Sequence, residues 1–361
     1  MTETTGVYRV LSIDGGGMRG LYTAAYLSGL ARQYAAIRQT GPLDVGKGFN
    51  LITGTSTGGI IACGLAAGVP LETIATLYRS HGAEIFPAKL PSGVGPSFLR
   101  QLFARPKLNR QGAEALKVAL EKSFQSETVN QVFERRGIAL AIPAVEMARH
   151  RSWVFKTAHL GGRRDDDFSL VDVCLATSAA PIYRSLADVH DPKSDHRYIF
   201  ADGGLWANNP VLVGLIDALY AAPSGAEIEI FSLGTSARPA GHVIQPGDTH
   251  WGLQHWKFGG EIAMLAIDAQ QYAYDNMARM LTPHLTRSCM VARFPHDAAA
   301  AAAMKYLDLD ETSEAGMRAL ETQAQADISQ TLSETRHKMS KDAEKLDALF
   351  RAMPTLDAGR T

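Results

Sequence analysis

Cysteine is scarce in this chain, three in 361 residues, and Cys63, Cys174 and Cys289 stand far apart, without the short spacings that hold zinc or an iron–sulfur cluster. That excludes a disulfide framework, and the three are expected to be inert core residues of a reduced compartment. No apolar run approaches the roughly 20 residues a membrane span requires. Residues 1–5 offer neither a charged n-region nor an apolar h-region, so no signal peptide is expected. An excess of one charge is missing too. Lys and Arg number 36 against 37 Asp and Glu, and a formal net charge of -1 gives no bulk attraction to a nucleic acid polymer or an anionic membrane. None of the 11 histidines sits in a recognisable catalytic setting, and no internal repeat is evident.

What is present is glycine, in three ordered motifs. The second of them, Gly54-Thr55-Ser56-Thr57-Gly58, follows residues 49–53, which read as a short buried strand, and precedes residues 59–66, which read as a helix. A serine hydroxyl is a weak nucleophile until its Oγ is held exposed and a base accepts its proton. A sharp strand-to-helix turn does the first, and leaves room only for glycine at the flanking positions. The positive end of the following helix favours charge developing there. Ser56 is thus a candidate nucleophile, although an isolated G-x-S-x-G also occurs as a plain turn.

The first motif runs Asp14-Gly15-Gly16-Gly17-Met18-Arg19-Gly20. Residues 8–13 alternate as a strand does, and Leu21, Ala24, Ala25, Leu27, Leu30 and Ile37 follow at mostly helical spacing. Three glycines between strand and helix make a nest of backbone N–H groups open to an anion. The oxyanion of a tetrahedral acyl intermediate fits there, with Arg19 adding positive charge or holding the loop's shape. Gly15, Gly17 and Gly20 also satisfy the dinucleotide fingerprint G-x-G-x-x-G. Against that reading, residues 40–48 are turn-rich where a second strand and a ribose-binding acid belong, and Asp14 would repel a pyrophosphate. A P-loop lacks its Lys-Ser/Thr.

The third motif, Asp202-Gly203-Gly204, ends the strand-like run 198–202. A carboxylate can take the serine proton directly if the fold brings it within reach and a desolvated site raises its basicity. Alone it would be an Asp-Gly turn. A Ser-His-Asp arrangement of the α/β-hydrolase kind is opposed by room, since only two strands and one helix precede Ser56.

Elsewhere the pattern predicts helices over 71–81 and 170–180 and strands over 137–145, 152–158 and 227–233, with 86–108 broken by Pro87, Pro91, Pro96 and Pro106. A helix over 258–281 and a strand over 284–292 follow. A last helical stretch carries Met317, Leu320, Ala324, Ile328, Leu332, Met339, Ala343, Leu346 and Phe350 near one face. This order implies a three-layer α/β/α sandwich, one unit over 7–295, with a helical C-terminal extension over 296–361. The interleaved aromatic and basic residues of 96–107 read as a lid or packed loop. Trp251, Trp256, Phe258, Met264 and Met277 read as core packing before a membrane-facing patch.

The three motifs together resemble the signatures of the patatin-like phospholipases. The likeness spans residues 7–233. It implies a Ser-Asp dyad with no histidine, Ser56 as nucleophile and Asp202 as general base, an oxyanion loop of Gly15, Gly16, Gly17 and Arg19, hydrolysis of membrane phospholipid acyl esters, and neither metal nor cofactor. In size and arrangement the chain is also similar to bacterial patatin-like effectors of cyclic-oligonucleotide antiphage signalling, the CapV type. That resemblance implies a cytoplasmic enzyme acting at the inner face of the membrane and activated by a cyclic dinucleotide. A constitutive lipid acyl hydrolase and a non-catalytic lipid- or nucleotide-binding module stay open beside it, as does a homo-oligomer.

Overall fold

The computed structural model describes residues 6–87, 89, 96–236, 244–252, 255–256, 260–295 and 299–356, leaving aside the side chains of 96–102, 260, 263, 301 and 302. In chain order the elements are β1 Val7–Ile13, α1 Gly20–Arg38, β2 Leu51–Gly54, α2 Thr57–Ala67, α3 Leu71–Ile85, α4 Pro96–Phe124, α5 Val129–Arg136, β3 Ala139–Glu146, β4 Arg151–Lys156 and α6 Leu170–Thr177. Then come β5 Ala187–His190, β6 Arg197–Asp202, α7 Gly204–Ala207, α8 Val211–Ala221, β7 Glu227–Leu233, α9 Gly260–Leu281, β8 Cys289–Phe294, α10 Glu314–His337 and α11 Lys341–Ala352.

One mixed sheet of order β5-β6-β3-β2-β1-β7-β8 runs through the molecule, with β4 paired to β3. Strand β1 shows why both faces are covered. Its Leu11 and Ile13 join the larger core, where α1, α2, α3, α4 and α6 pack, while Tyr8 and Val10 point the other way to meet Val211, Leu215 and Ala218 of α8 and Ala278 of α9. Val10 and Leu11, consecutive and fully buried, thus belong to opposite cores, as in a strand covered on both faces. Helix α2 is buried at every position, which is why its sequence is apolar all round. The result is the three-layer α/β/α sandwich.

The C-terminal helices close the larger face. Against α1, the Tyr22 hydroxyl donates to Asp327 Oδ2 at 2.5 Å, Tyr26 and Thr331 hydroxyls meet at 2.8 Å, and Arg38 Nη1 donates to the carbonyls of Phe350 and Met353 at 3.1 and 2.6 Å. The expected single helical face of 317–350 is two helices. Lys338 adopts φ 50° at the end of α10 and Ser340 caps α11, leaving Met339 in the turn and 69% exposed. With neither glycine nor proline at that break, the sequence carries no punctuation for it.

A second difference lies in 86–108. Helix α4 starts on Pro96, whose missing N–H costs nothing in a first turn, and continues through Pro106. The bond lost at Pro106 is local, whereas burial of Leu116, Ala119 and Leu120 anchors the rest of the helix to the core. Pro91 and Phe258 lie outside the described residues, as do the side chains of 96–102. Strand β8 begins at Cys289, later than expected, because Pro283 sits in a 3-10 turn over Thr282–His284. Cys63 and Cys174 are buried and Cys289 is half-buried.

The register of β3 positions the site. One edge of β3 pairs with β4, and the other edge is shared end to end by two strands. Parallel β2 occupies its start, with Thr53 opposite Ala141, and antiparallel β6 occupies its end, with Asp202 opposite Ala144. The two strands therefore point at each other, and their facing ends are separated by the three residue steps from Ala141 to Ala144, about 10 Å of strand. Gly54 leads from one into the Ser56 turn, and Asp202 terminates the other.

Candidate active site

Ser56 stands between β2 and α2 at φ 55° and ψ -124°, a backbone conformation that non-glycine residues rarely hold. The close packing of this turn explains its glycines. A Cβ at Gly54 would come within 2.2 Å of the Gly58 carbonyl oxygen, and one at Gly58 within 2.4 Å of the Ile13 carbonyl oxygen. The Ser56 N–H donates to Thr177 Oγ1 at 3.0 Å, and the Thr177 hydroxyl donates in turn to the Pro143 carbonyl at 2.6 Å, so the end of α6 and β3 hold the elbow. A serine at a helix N-cap ordinarily spends its oxygen on the helix's first N–H groups. Ser56 makes no such bond. Its Oγ instead donates to Asp202 Oδ2 at 2.7 Å.

Asp202 is 5% exposed, and its Oδ1 accepts the Gly204 N–H at 2.7 Å. Burial raises its carboxyl to about 6, against the opposing pull of the Gly204 N–H, the Ser56 hydroxyl and the Arg184 charge. A carboxylate that is desolvated, held on one oxygen and bonded to serine on the other is poised to take that serine's proton.

The four residues expected to form the oxyanion loop divide into two pairs. Gly16 and Gly17 line the cavity in front of Ser56. Their N–H groups donate to no other backbone group among the described residues. Gly15 and Arg19 do not line it. The Gly15 N–H is spent on the Asn208 carbonyl at 2.9 Å, and Arg19 is wholly buried behind the loop with its Nε 3.4 Å from the Gly16 carbonyl. Arg19 thus lies away from the cavity and meets the loop at the Gly16 carbonyl. Asp14 leaves the cavity as well, in a buried ion pair with Arg293 Nη2 at 2.5 Å that ties the loop to β8. Burial raises the Asp14 carboxyl, and Arg293 counters it.

Three further residues complete the surroundings. Thr57 heads α2, so its N–H has no partner within the helix, and the residue lines the same cavity. Its hydroxyl donates to the Gly17 carbonyl at 2.7 Å, locking loop to elbow. The motif G-T-S-T-G contained that signal, because the residue after a nucleophile commonly supplies an oxyanion donor. Asn208 and Leu309 carry no local signal at all. Asn208 joins the loop to α9 through Gln270 Oε1 at 2.9 Å, and the Leu309 carbonyl accepts the Met18 N–H at 2.8 Å. The cavity encloses about 100 Å³ and opens to solvent at its mouth. Ile60, Ile85, Phe86, Leu116 and Ile267 give it apolar walls suited to an acyl chain.

Residues 11–215, a span holding the elbow, the glycine loop and Asp202, match the family described as patatin-like phospholipase. The chain belongs to the patatin-like phospholipases. It is accordingly an enzyme, a hydrolase of carboxylic esters. It is 33% identical over 276 residues to a cGAMP-activated phospholipase of Pseudomonas aeruginosa, covering 75% of this chain and 74% of that one. To patatin-like protein 4 of Arabidopsis thaliana it is 29% identical over 271 residues, covering 69% and 65% of the two chains. Human GIVD cytosolic phospholipase A2 is similar over 97% of this chain and 61% of that chain, with 10% identity and a TM-score of 0.45. Among the described residues no cluster of His, Cys, Asp and Glu could hold a metal ion, and no helix is long and apolar enough to cross a membrane. Within this patatin-like enzyme the cavity, rather than any surface groove, contains all three motifs' chemistry.

Proposed function

We propose that this patatin-like enzyme cleaves the acyl esters of membrane phospholipids with a Ser56–Asp202 dyad and that a cyclic dinucleotide activates it. The observation that carries the chemistry is the 2.7 Å bond from the Ser56 hydroxyl to a buried carboxylate, made at a strained elbow that shares its cavity with Gly16 and Gly17. Ser56 Oγ attacks the ester carbonyl as Asp202 takes its proton. The oxyanion lies among the N–H groups of Gly16, Gly17 and Thr57. Collapse expels the alcohol, which carries away the proton from Asp202, and leaves an acyl-serine. Water, deprotonated by the same carboxylate, then releases the fatty acid and restores Ser56. No step needs a histidine or a metal.

Asp202 must be ionised to act as a base. With its carboxyl raised to about 6, kcat/KM is expected to climb as pH rises through about 6 and to level off above it. A rate independent of pH between 5 and 8 would remove the carboxylate from the base role.

The relatives named cGAMP-activated phospholipases support the regulatory half of the proposal. The expected result is slow hydrolysis of a fluorogenic phospholipid by the protein alone, acceleration of tenfold or more on adding cGAMP, and cGAMP binding that survives Ser56→Ala. A constitutive lipid acyl hydrolase is the second reading. Full activity unchanged by cGAMP would establish that reading. Exposed Leu205 at the cavity mouth and Ile182, next to Pro181 on its rim, supply the apolar surface that would meet the bilayer.

A further inference from the structure

Arg184 is 8% exposed and lines the cavity that contains Ser56. Among the described residues its guanidinium makes no ion pair and no hydrogen bond. The charge that reaches it is that of Asp202, which is not bonded to it. Burial pushes the guanidinium down to about 10 against the opposing pull of Asp202. A buried cation left without a partner is expensive, and a fold carries that cost where an anion arrives later.

Tyr78 points to the same place. Its hydroxyl is buried in the cavity wall beside the Thr57 hydroxyl, which is already committed to the Gly17 carbonyl, and no bond of regular geometry forms there. Burial raises the phenol far above its usual range, so it remains an O–H donor. The cavity therefore presents a guanidinium and a phenolic donor, both unsatisfied, in walls otherwise apolar.

We propose that Arg184 and Tyr78 form the subsite that receives the phosphodiester of the lipid whose ester Ser56 cleaves, making them the residues that select phospholipid over neutral acyl ester. This rests on the acyl-hydrolase reading above. The planar guanidinium fork matches two phosphate oxygens, and a tyrosine hydroxyl can add a third bond. The reaction's oxyanion does not need Arg184, since backbone N–H groups already receive it. A cyclic dinucleotide also carries phosphodiesters, but in this cavity it would occupy the acyl ester's place, and an activator has to bind together with substrate.

The test compares a short-chain phosphatidylcholine with a diacylglycerol of the same chains. Arg184→Met is expected to lower the ratio of kcat/KM for phospholipid over neutral ester by about 10–100-fold, chiefly through KM, the range for hydrogen bonds to a charged group. Arg184→Lys should recover part of that ratio, and the isosteric Tyr78→Phe should lower it several-fold with little risk to folding. An equal loss on both esters would mean that Arg184 acts only through Asp202, and would overturn the proposal. Binding supplies a readout independent of turnover. In Ser56→Ala protein, a diether phosphatidylcholine should bind 10–100-fold more weakly when Arg184→Met is added, while a diether glycerol should not distinguish the two. Equal phospholipid affinities, or loss of cGAMP binding in place of lipid binding, would overturn it. A wild-type protein that binds the diether phospholipid through Arg184 but cleaves neither ester would support this subsite and defeat the hydrolase reading instead.

Discussion

Ser56→Ala and Asp202→Asn are each expected to lower phospholipid hydrolysis by about 10³-fold or more, and the double variant to be little worse than either. In the proposed mechanism the two groups share one proton transfer across the 2.7 Å bond, so removing either abolishes the same step. What remains in each variant is binding and the N–H groups of the glycine loop, which still stabilise an oxyanion formed by water. Single-turnover rates of purified, folded variants measure this. Losses that multiply in the double variant would show two separate steps, and substantial activity in Ser56→Ala would move the nucleophile elsewhere. Asp202→Asn keeps the shape of the site and the bond to the Gly204 N–H, so its loss reports basicity more directly than alanine does.

The second large effect is expected at Gly17, where Gly17→Ala should reduce kcat by roughly 10²–10³-fold with a smaller change in KM. Two independent causes act there. The residue sits at φ 55°, which strains any side chain, and a Cβ would meet the Leu309 carbonyl oxygen at 2.4 Å. Relief requires the loop to move, and movement takes the Gly16 and Gly17 N–H groups out of line with the oxyanion. Because Leu309 also receives the Met18 N–H, a shift there would propagate to the loop's other anchor. The discriminating measurement is the split between kcat and KM. If kcat holds and only KM rises, the loop binds substrate without stabilising the transition state. Retained hydrolysis with lost nucleotide binding would return the dinucleotide reading of the same glycines.

The elements that sequence reasoning located well are those whose cause is local. Strand β7 was expected over 227–233 and is found at Glu227–Leu233, because Ile228 and Ile230 fill the core on one face of the sheet and Phe231 and Leu233 the core on the other. The elbow was legible for a similar reason, since only glycine tolerates the contacts at 54 and 58. Helix α4 was not, because Pro96 and Pro106 are read as breakers unless the position of a helix start is already known. The turn at Lys338 was missed as well. A left-handed residue other than glycine or asparagine is imposed there by the packing of α10 and α11 on α1, and the chain carries no mark of it.

Within the site the division is sharper. Residue types alone determined that this chain offers a serine on a glycine-flanked turn, a nest of N–H groups and a carboxylate at a strand end, since each motif is a local solution to a local constraint. Only the tertiary structure decided that they meet. Ser56 and Asp202 approach because β2 and β6 share one edge of β3 from opposite ends, a matter of strand register that no short window encodes. The same packing turned Gly15 and Arg19 away from the cavity and brought Thr57, Asn208, Leu309 and Arg184 to its wall. Local sequence specifies backbone conformation and the chemistry a side chain carries. Which of those side chains lose their water together, and so interact strongly enough for catalysis, is settled by burial in the assembled fold.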